Sequence, residues 1–132
     1  MKTPRQKLVD KLDKAWRTIG KEDAVCEVCA TLPPSERVNY NQLQPHHIIP
    51  RGHMLTRFDL RNRVWLCPTH HTLGGIKCAQ DNVGGWFWGA KNDWLGTHRP
   101  EDKKYLEERK HQTKKWEVYE LKEMLDDMTT SS

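Results

Sequence analysis

Apolar residues recur at helical spacing near the start of the chain. Leu8, Leu12, Ala15, Trp16 and Ile19 fall on one stripe with charged residues between them. Thr3-Pro4 ahead of the stripe supplies a capping hydroxyl and a first-turn proline, and Gly20 ends the pattern, so residues 4–19 predict an amphipathic helix docked on the rest. From Val25 to Arg99 the chain is rich in turn formers, cysteine and histidine, with two short strand candidates. One runs from Gln44 to Pro50 and holds His-His-Ile-Ile. The other, Arg63 to Leu66, reads Arg-Val-Trp-Leu. Pro45 and Pro50 suit an edge strand in a short ribbon better than a central strand. A short helix is predicted from near Pro68, limited or bent by Gly74-Gly75. Glu101 to His111 predicts an exposed charged helix, and a last helix carries Val118, Leu121, Leu125 and Met128 on one face. Thr129-Thr130-Ser131-Ser132 reads as a loose tail.

Length, 132 residues, argues for a single domain. Its parts are an N-terminal helix over 4–20, a cysteine- and histidine-bearing core over 25–80, an aromatic segment with C-terminal helices over 81–128, and a tail over 129–132. Hydrophobic residues make up 36% and charged residues 30%, with a mean hydropathy of −0.91. Cores this lean are often supplemented by a metal or a disulfide. Lys plus Arg number 22 against 18 Asp plus Glu, a charge of +4 that is compatible with a polyanionic partner without specifying one. No apolar run approaches the roughly 20 residues of a membrane span, and no leader pattern follows Met1. The expectation is a cytoplasmic chain with no membrane partner, and in that compartment cysteine pairs favour metal over disulfide.

Cys26-Glu-Val-Cys29 has the spacing with which two thiolates grip one ion, and Cys67-Pro-Thr-His70 repeats the two-residue gap. Together they make a Cys₃His set, the closed sphere of a structural Zn²⁺. Cys78 is an alternative fourth ligand or a small buried thiol. His46 and His47 sit side by side on the first strand candidate and so point to opposite faces, and His71 follows His70. A zinc module has no need of these extra imidazoles. That surplus is the most informative feature of the sequence.

The order of CxxC, His46-His-Ile-Ile-Pro50, Asp59-Leu-Arg-Asn62 and Cys67-x-x-His70-His71 resembles the HNH (His-Asn-His, ββα-metal) endonuclease superfamily over about residues 26 to 75. Leu55-Thr-Arg-Phe-Asp59 and the stretch from Lys114 to Glu123 look like the phage NinG/Rap-type recombination endonucleases, which are associated with cutting branched DNA. The chain departs from these patterns with His70-His71 in place of Cys-Asn, and with His46 where many HNH enzymes carry Asp.

The resemblance implies a small α+β fold, a zinc-stapled ββα-metal core with flanking N- and C-terminal α-helices. It implies a metal-dependent DNA endonuclease, phage- or prophage-encoded and acting in the host cytoplasm in recombination or DNA processing. Carried over residue by residue, His47 becomes the general base and Asn62 the residue that ties down the loop. His46 and His71 become ligands of one catalytic divalent cation, and products carry 5′-phosphate and 3′-hydroxyl ends. Imidazole ligands favour Mn²⁺, Ni²⁺ or Co²⁺ at least as much as Mg²⁺. The partner is duplex or branched DNA, and a homodimer is compatible with junction cutting. Arg51, Arg57, Arg61 and Arg63 surround the motif as candidate phosphate contacts, Arg51 and Arg57 above all, against the plainer reading of a solvated charged face. Trp86-Phe87-Trp88 and Trp94 suit core packing better than base stacking. The competing reading is a non-catalytic zinc-dependent nucleic-acid-binding module. A redox role for Cys26 and Cys29 ranks last, since no βαβ pattern surrounds them.

Overall fold

Helix α1 runs from Pro4 to Thr18 in a computed structural model that describes residues 1–31, 33, 43–67 and 93–130. Its start is fixed locally: the Thr3 hydroxyl accepts from the Gln6 N–H at 3.1 Å, and the Gln6 side chain accepts from the Thr3 N–H at 2.9 Å. Its end comes where Ile19 turns extended and Gly20 takes the left-handed conformation, φ 79°. The Arg63 guanidinium then donates to the Trp16 and Ile19 carbonyls at 2.7 and 2.9 Å, satisfying acceptors that a helix end leaves open.

A short helix α2, Glu27–Ala30, follows Cys26. Strands β1 (Gln44–His47) and β2 (Arg63–Leu66) pair antiparallel, with Gln44 opposite Leu66 and His47 opposite Arg63. The second strand has its expected bounds, but β1 stops three residues short of Pro50. Beyond His47 the backbone of Ile49 bonds to the Asn62 side chain instead of a ladder partner, and Pro50 has no N–H to offer. Residues Leu60–Asn62 form a 3₁₀ turn that leads into β2, and Asp59 caps it by accepting the Arg61 N–H.

Helix α3 (Trp94–His98), which the sequence pattern did not announce, is capped by the Asp93 carboxylate accepting the Gly96 N–H. Helix α4 (Pro100–Arg109) is mostly exposed and buries Leu106. Helix α5 (Val118–Thr130) takes in two residues expected in the tail. The Thr129 and Thr130 hydroxyls bond back to the Leu125 and Asp126 carbonyls one turn earlier, which helical backbone permits. The helix expected near Pro68 lies outside the described residues.

Two apolar clusters hold these elements. One joins Cys26, Cys29 and Cys67 to Val28, Ile48, Ile49, Val64 and Leu66 under Trp94, Leu95 and Leu106. The other joins Leu12 of α1, Phe58 and Leu121 of α5, flanked by Met54, Trp116, Met124, Leu125 and Met128. The stripe of α1 thus docks on α5, and Trp94 packs in the core. The result is a small α+β arrangement of helices around a two-stranded ribbon. Among the described residues no helix is long and apolar enough to cross a membrane.

Candidate functional site

Cys26 caps the start of α2, Cys29 lies within that helix, and Cys67 directly follows β2, so the end of the ribbon meets the knuckle. All three are buried, and their sulfurs lie within 4.8 Å of one another. A tetrahedral ion with Zn–S bonds of about 2.3 Å would hold its sulfurs about 3.8 Å apart; Cys29 Sγ and Cys67 Sγ are separated by 3.8 Å. The three thiols therefore fit a metal ion, zinc included. Burial pushes the Cys26 thiol up to about 12, and a coordinated cation reverses that, because a ligating thiol is deprotonated. Glu27, between the two cysteines, accepts the Trp65 N–H at 2.7 Å and pairs with Arg99 at 3.3 Å, fastening the knuckle to β2. His70, expected to complete the set, and Cys78, its alternative, lie outside the described residues.

His46 and His47 occupy the end of β1 opposite Val64 and Arg63, so their side chains leave the ribbon on opposite faces. Both are half-buried. The His47 ring lies on the Trp16 ring of α1, centroids 3.7 Å apart and planes 6° from parallel. Its Nε2 is 2.9 Å from the Arg57 carbonyl oxygen. A carbonyl only accepts, so Nε2 carries the proton and Nδ1 is the ring's acceptor. Burial lowers the pKa of His47 and the neighbouring Arg51 and Arg57 charges add to that, outweighing the Arg57 carbonyl and Asp13, which act the other way. Burial thus favours the neutral form of the ring. The ring lines a cleft of about 380 Å³ together with Asp13, Trp16, Arg17, Gln44, Pro45 and Arg51.

Asn62 is fully buried in the loop between the strands. Its Oδ1 accepts the Ile49 N–H at 2.6 Å, and its Nδ2 donates to the Ile49 and Thr56 carbonyls at 3.0 and 3.2 Å. The loop is pinned at both ends by one amide.

The four arginines separate. Arg57 makes a two-pronged pair with Asp13, Nε to Oδ1 at 3.0 Å and Nη2 to Oδ2 at 2.7 Å. Arg63 caps α1 and lies over the Trp65 ring. Arg61 pairs with Asp102 at 2.8 Å and covers one face of Tyr105. Arg51 reaches Asp13 with one nitrogen at 3.1 Å, yet its side chain remains 62% exposed beside the His47 cleft. Arg57 is mostly covered at its pair with Asp13, whereas the side chains of Arg51 and Arg61 remain more exposed. His53 is held by Thr56 and the Gln112 carbonyl. His71, Lys77 and Trp86 to Trp88 lie outside the described residues.

Sequence reasoning missed Asp13 and Trp16. Trp16 was legible as part of an apolar stripe, but a stripe says nothing about which ring it meets. Asp13, next to that stripe, is a carboxylate on a docking helix and is only 7% exposed; its place beside Leu12 was the available signal. Burial favours its neutral form, but bonds from Arg57 and Arg51 prevail and hold its carboxyl below the ordinary range. No family model matches this chain, nor does any curated protein or solved structure.

Proposed function

We propose that this chain is a metal-dependent DNA endonuclease with a zinc-stapled HNH (ββα-metal) core, in which His47 is the general base. What supports this is the state of His47: a neutral imidazole whose Nε2–H is tied to a carbonyl, leaving Nδ1 as acceptor, in a cleft that carries the exposed Arg51. A base that is neutral at working pH and fixed in one tautomer is what water activation requires. Nδ1 of His47 takes the proton from the attacking water. Arg51 offsets the charge of the phosphate in the cleft. Asn62 keeps the loop between the strands from shifting the Arg57 carbonyl. His46 and His71 would hold a divalent cation, which supplies Lewis acidity at the scissile phosphate. The products are 5′-phosphate and 3′-hydroxyl ends. Cys26, Cys29 and Cys67, with His70, would hold a Zn²⁺ that would staple the fold. Duplex or branched DNA in phage recombination or processing, in the host cytoplasm and by a homodimer at junctions, is the setting this proposal implies.

A supercoiled-plasmid assay tests it. Wild type nicks the plasmid in Mn²⁺, Ni²⁺ or Co²⁺ at least as fast as in Mg²⁺, and His47→Ala lowers the rate by about 10²–10⁴-fold. Wild-type inactivity in every metal refutes the enzyme. The second reading, a zinc-dependent nucleic-acid-binding module, has one observation in its favour. His47 is both stacked and hydrogen-bonded, as a satisfied structural histidine is. Salt-sensitive DNA binding without nicking would establish it.

A further inference from the structure

We propose that Asp13 and Trp16, from helix α1, are positioning residues for His47: Trp16 fixes the plane of the imidazole, and Asp13, through Arg57, fixes the carbonyl that receives its Nε2–H. This rests on the reading of His47 as the base, and it extends the site to a helix outside the cysteine-and-ribbon unit.

Both contacts come from one face of α1, since residues three apart are neighbours on a helix. Trp16 lies flat on His47 at 3.7 Å, and its own ring is anchored by Nε1–H donating to the Asp59 carbonyl at 3.0 Å. Asp13 grips both prongs of Arg57, whose carbonyl oxygen is 2.9 Å from His47 Nε2. Helix α1 therefore holds the loop at residues 57 and 59. Asp59 in turn caps the 3₁₀ turn that delivers Asn62. Docking alone does not explain a buried carboxylate at position 13. Burying a charge is unfavourable unless it is paired, and an apolar side chain would dock α1 without that cost. What the Asp13–Arg57 pair adds is direction: it fixes the backbone at residue 57 and so defines which imidazole nitrogen carries hydrogen.

The test compares wild type, Asp13→Asn and Arg57→Lys. Three measurements are made: melting temperature, the ¹⁵N signals that distinguish the two neutral tautomers of His47, and plasmid nicking resolved into kcat and KM. Wild type shows the Nε2–H form alone. In each variant the Nδ1–H form appears, and kcat falls by about 10–100-fold while KM stays within about threefold, as a small misplacement of a reacting group produces. Trp16→Phe, which keeps an aromatic face, retains more of the rate than Trp16→Leu. A folded Asp13→Asn protein with the wild-type tautomer and kcat overturns the role of Asp13; equal rates for the two Trp16 variants overturn that of Trp16. If both Asp13→Asn and Arg57→Lys are unfolded, the pair supports the fold alone and the proposal also fails. A wild type that does not nick sinks the endonuclease reading, while the tautomer signals still decide whether Asp13 orients the ring.

Discussion

Replacing Asn62 by alanine removes a buried amide that carries the connection between the strands. Its side chain makes bonds of 2.6, 3.0 and 3.2 Å, to Ile49 N–H, Ile49 C=O and Thr56 C=O. Each such bond contributes about 1 kcal/mol net, and a buried backbone group stripped of its partner costs about 1–3 kcal/mol more. With these terms overlapping, Asn62→Ala is expected to lose about 3–5 kcal/mol, a large share of the 5–15 kcal/mol typical of a domain. That corresponds to a fall in melting temperature of about 12–20 °C for a chain of this length. Asn62→Asp should be worse still. It keeps an acceptor for Ile49 N–H but turns a carboxylate oxygen toward two carbonyls that need a donor. The assay is thermal and urea unfolding followed by circular dichroism at saturating zinc. A loss below about 1 kcal/mol for Asn62→Ala, or an Asp variant at least as stable as the Ala variant, would refute the account of the loop.

Acid should expose the Asp13 pair. Its folded pKa is depressed below the ordinary 3.8, so its stabilisation is complete above that value and is lost as pH falls through the folded one. Wild type and Asp13→Asn should therefore differ in urea midpoint at pH 7 and converge below pH 3.8; a gap that persists in acid contradicts the pairing. Metal removal separates the two proposed sites. Chelation or Cys29→Ser should unfold the chain, since binding energy at such a site is folding energy, whereas His71→Ala should leave its circular dichroism unchanged and stop nicking. Equal loss of structure in both would mean that one metal site, not two, is present.

Several elements were legible because local rules decide them. The Thr3-Pro4 start of α1 needs only its own next residues, and Gly20 ends it by adopting a backbone that other residues avoid. Strand β2 kept its expected bounds. The CxxC spacing and Cys67 reach one cluster because two-residue gaps and a strand end bring thiols close with little freedom left. Where the reading failed, a partner distant in sequence had intervened. β1 was shortened by an amide fifteen positions beyond His47 in the chain, and the tail joined α5 through hydroxyls that a composition-based view treats as loop formers. The arginines were indistinguishable as letters. Their division followed from where Asp13, Asp102 and the end of α1 happen to stand.

Residue identity and spacing set which chemical groups are present and roughly how far apart the backbone can hold them: a thiol cluster, adjacent imidazoles on a short strand, and an asparagine between the strands. Which nitrogen of His47 carries hydrogen, which arginines stay open to solvent, and the seat of α1 on the histidine all depend on long-range packing. Protonation state, tautomer and exposure depend on contacts within about 3–4 Å, and those contacts join residues 10 to 47 positions apart along the chain, beyond the reach of periodicity or spacing.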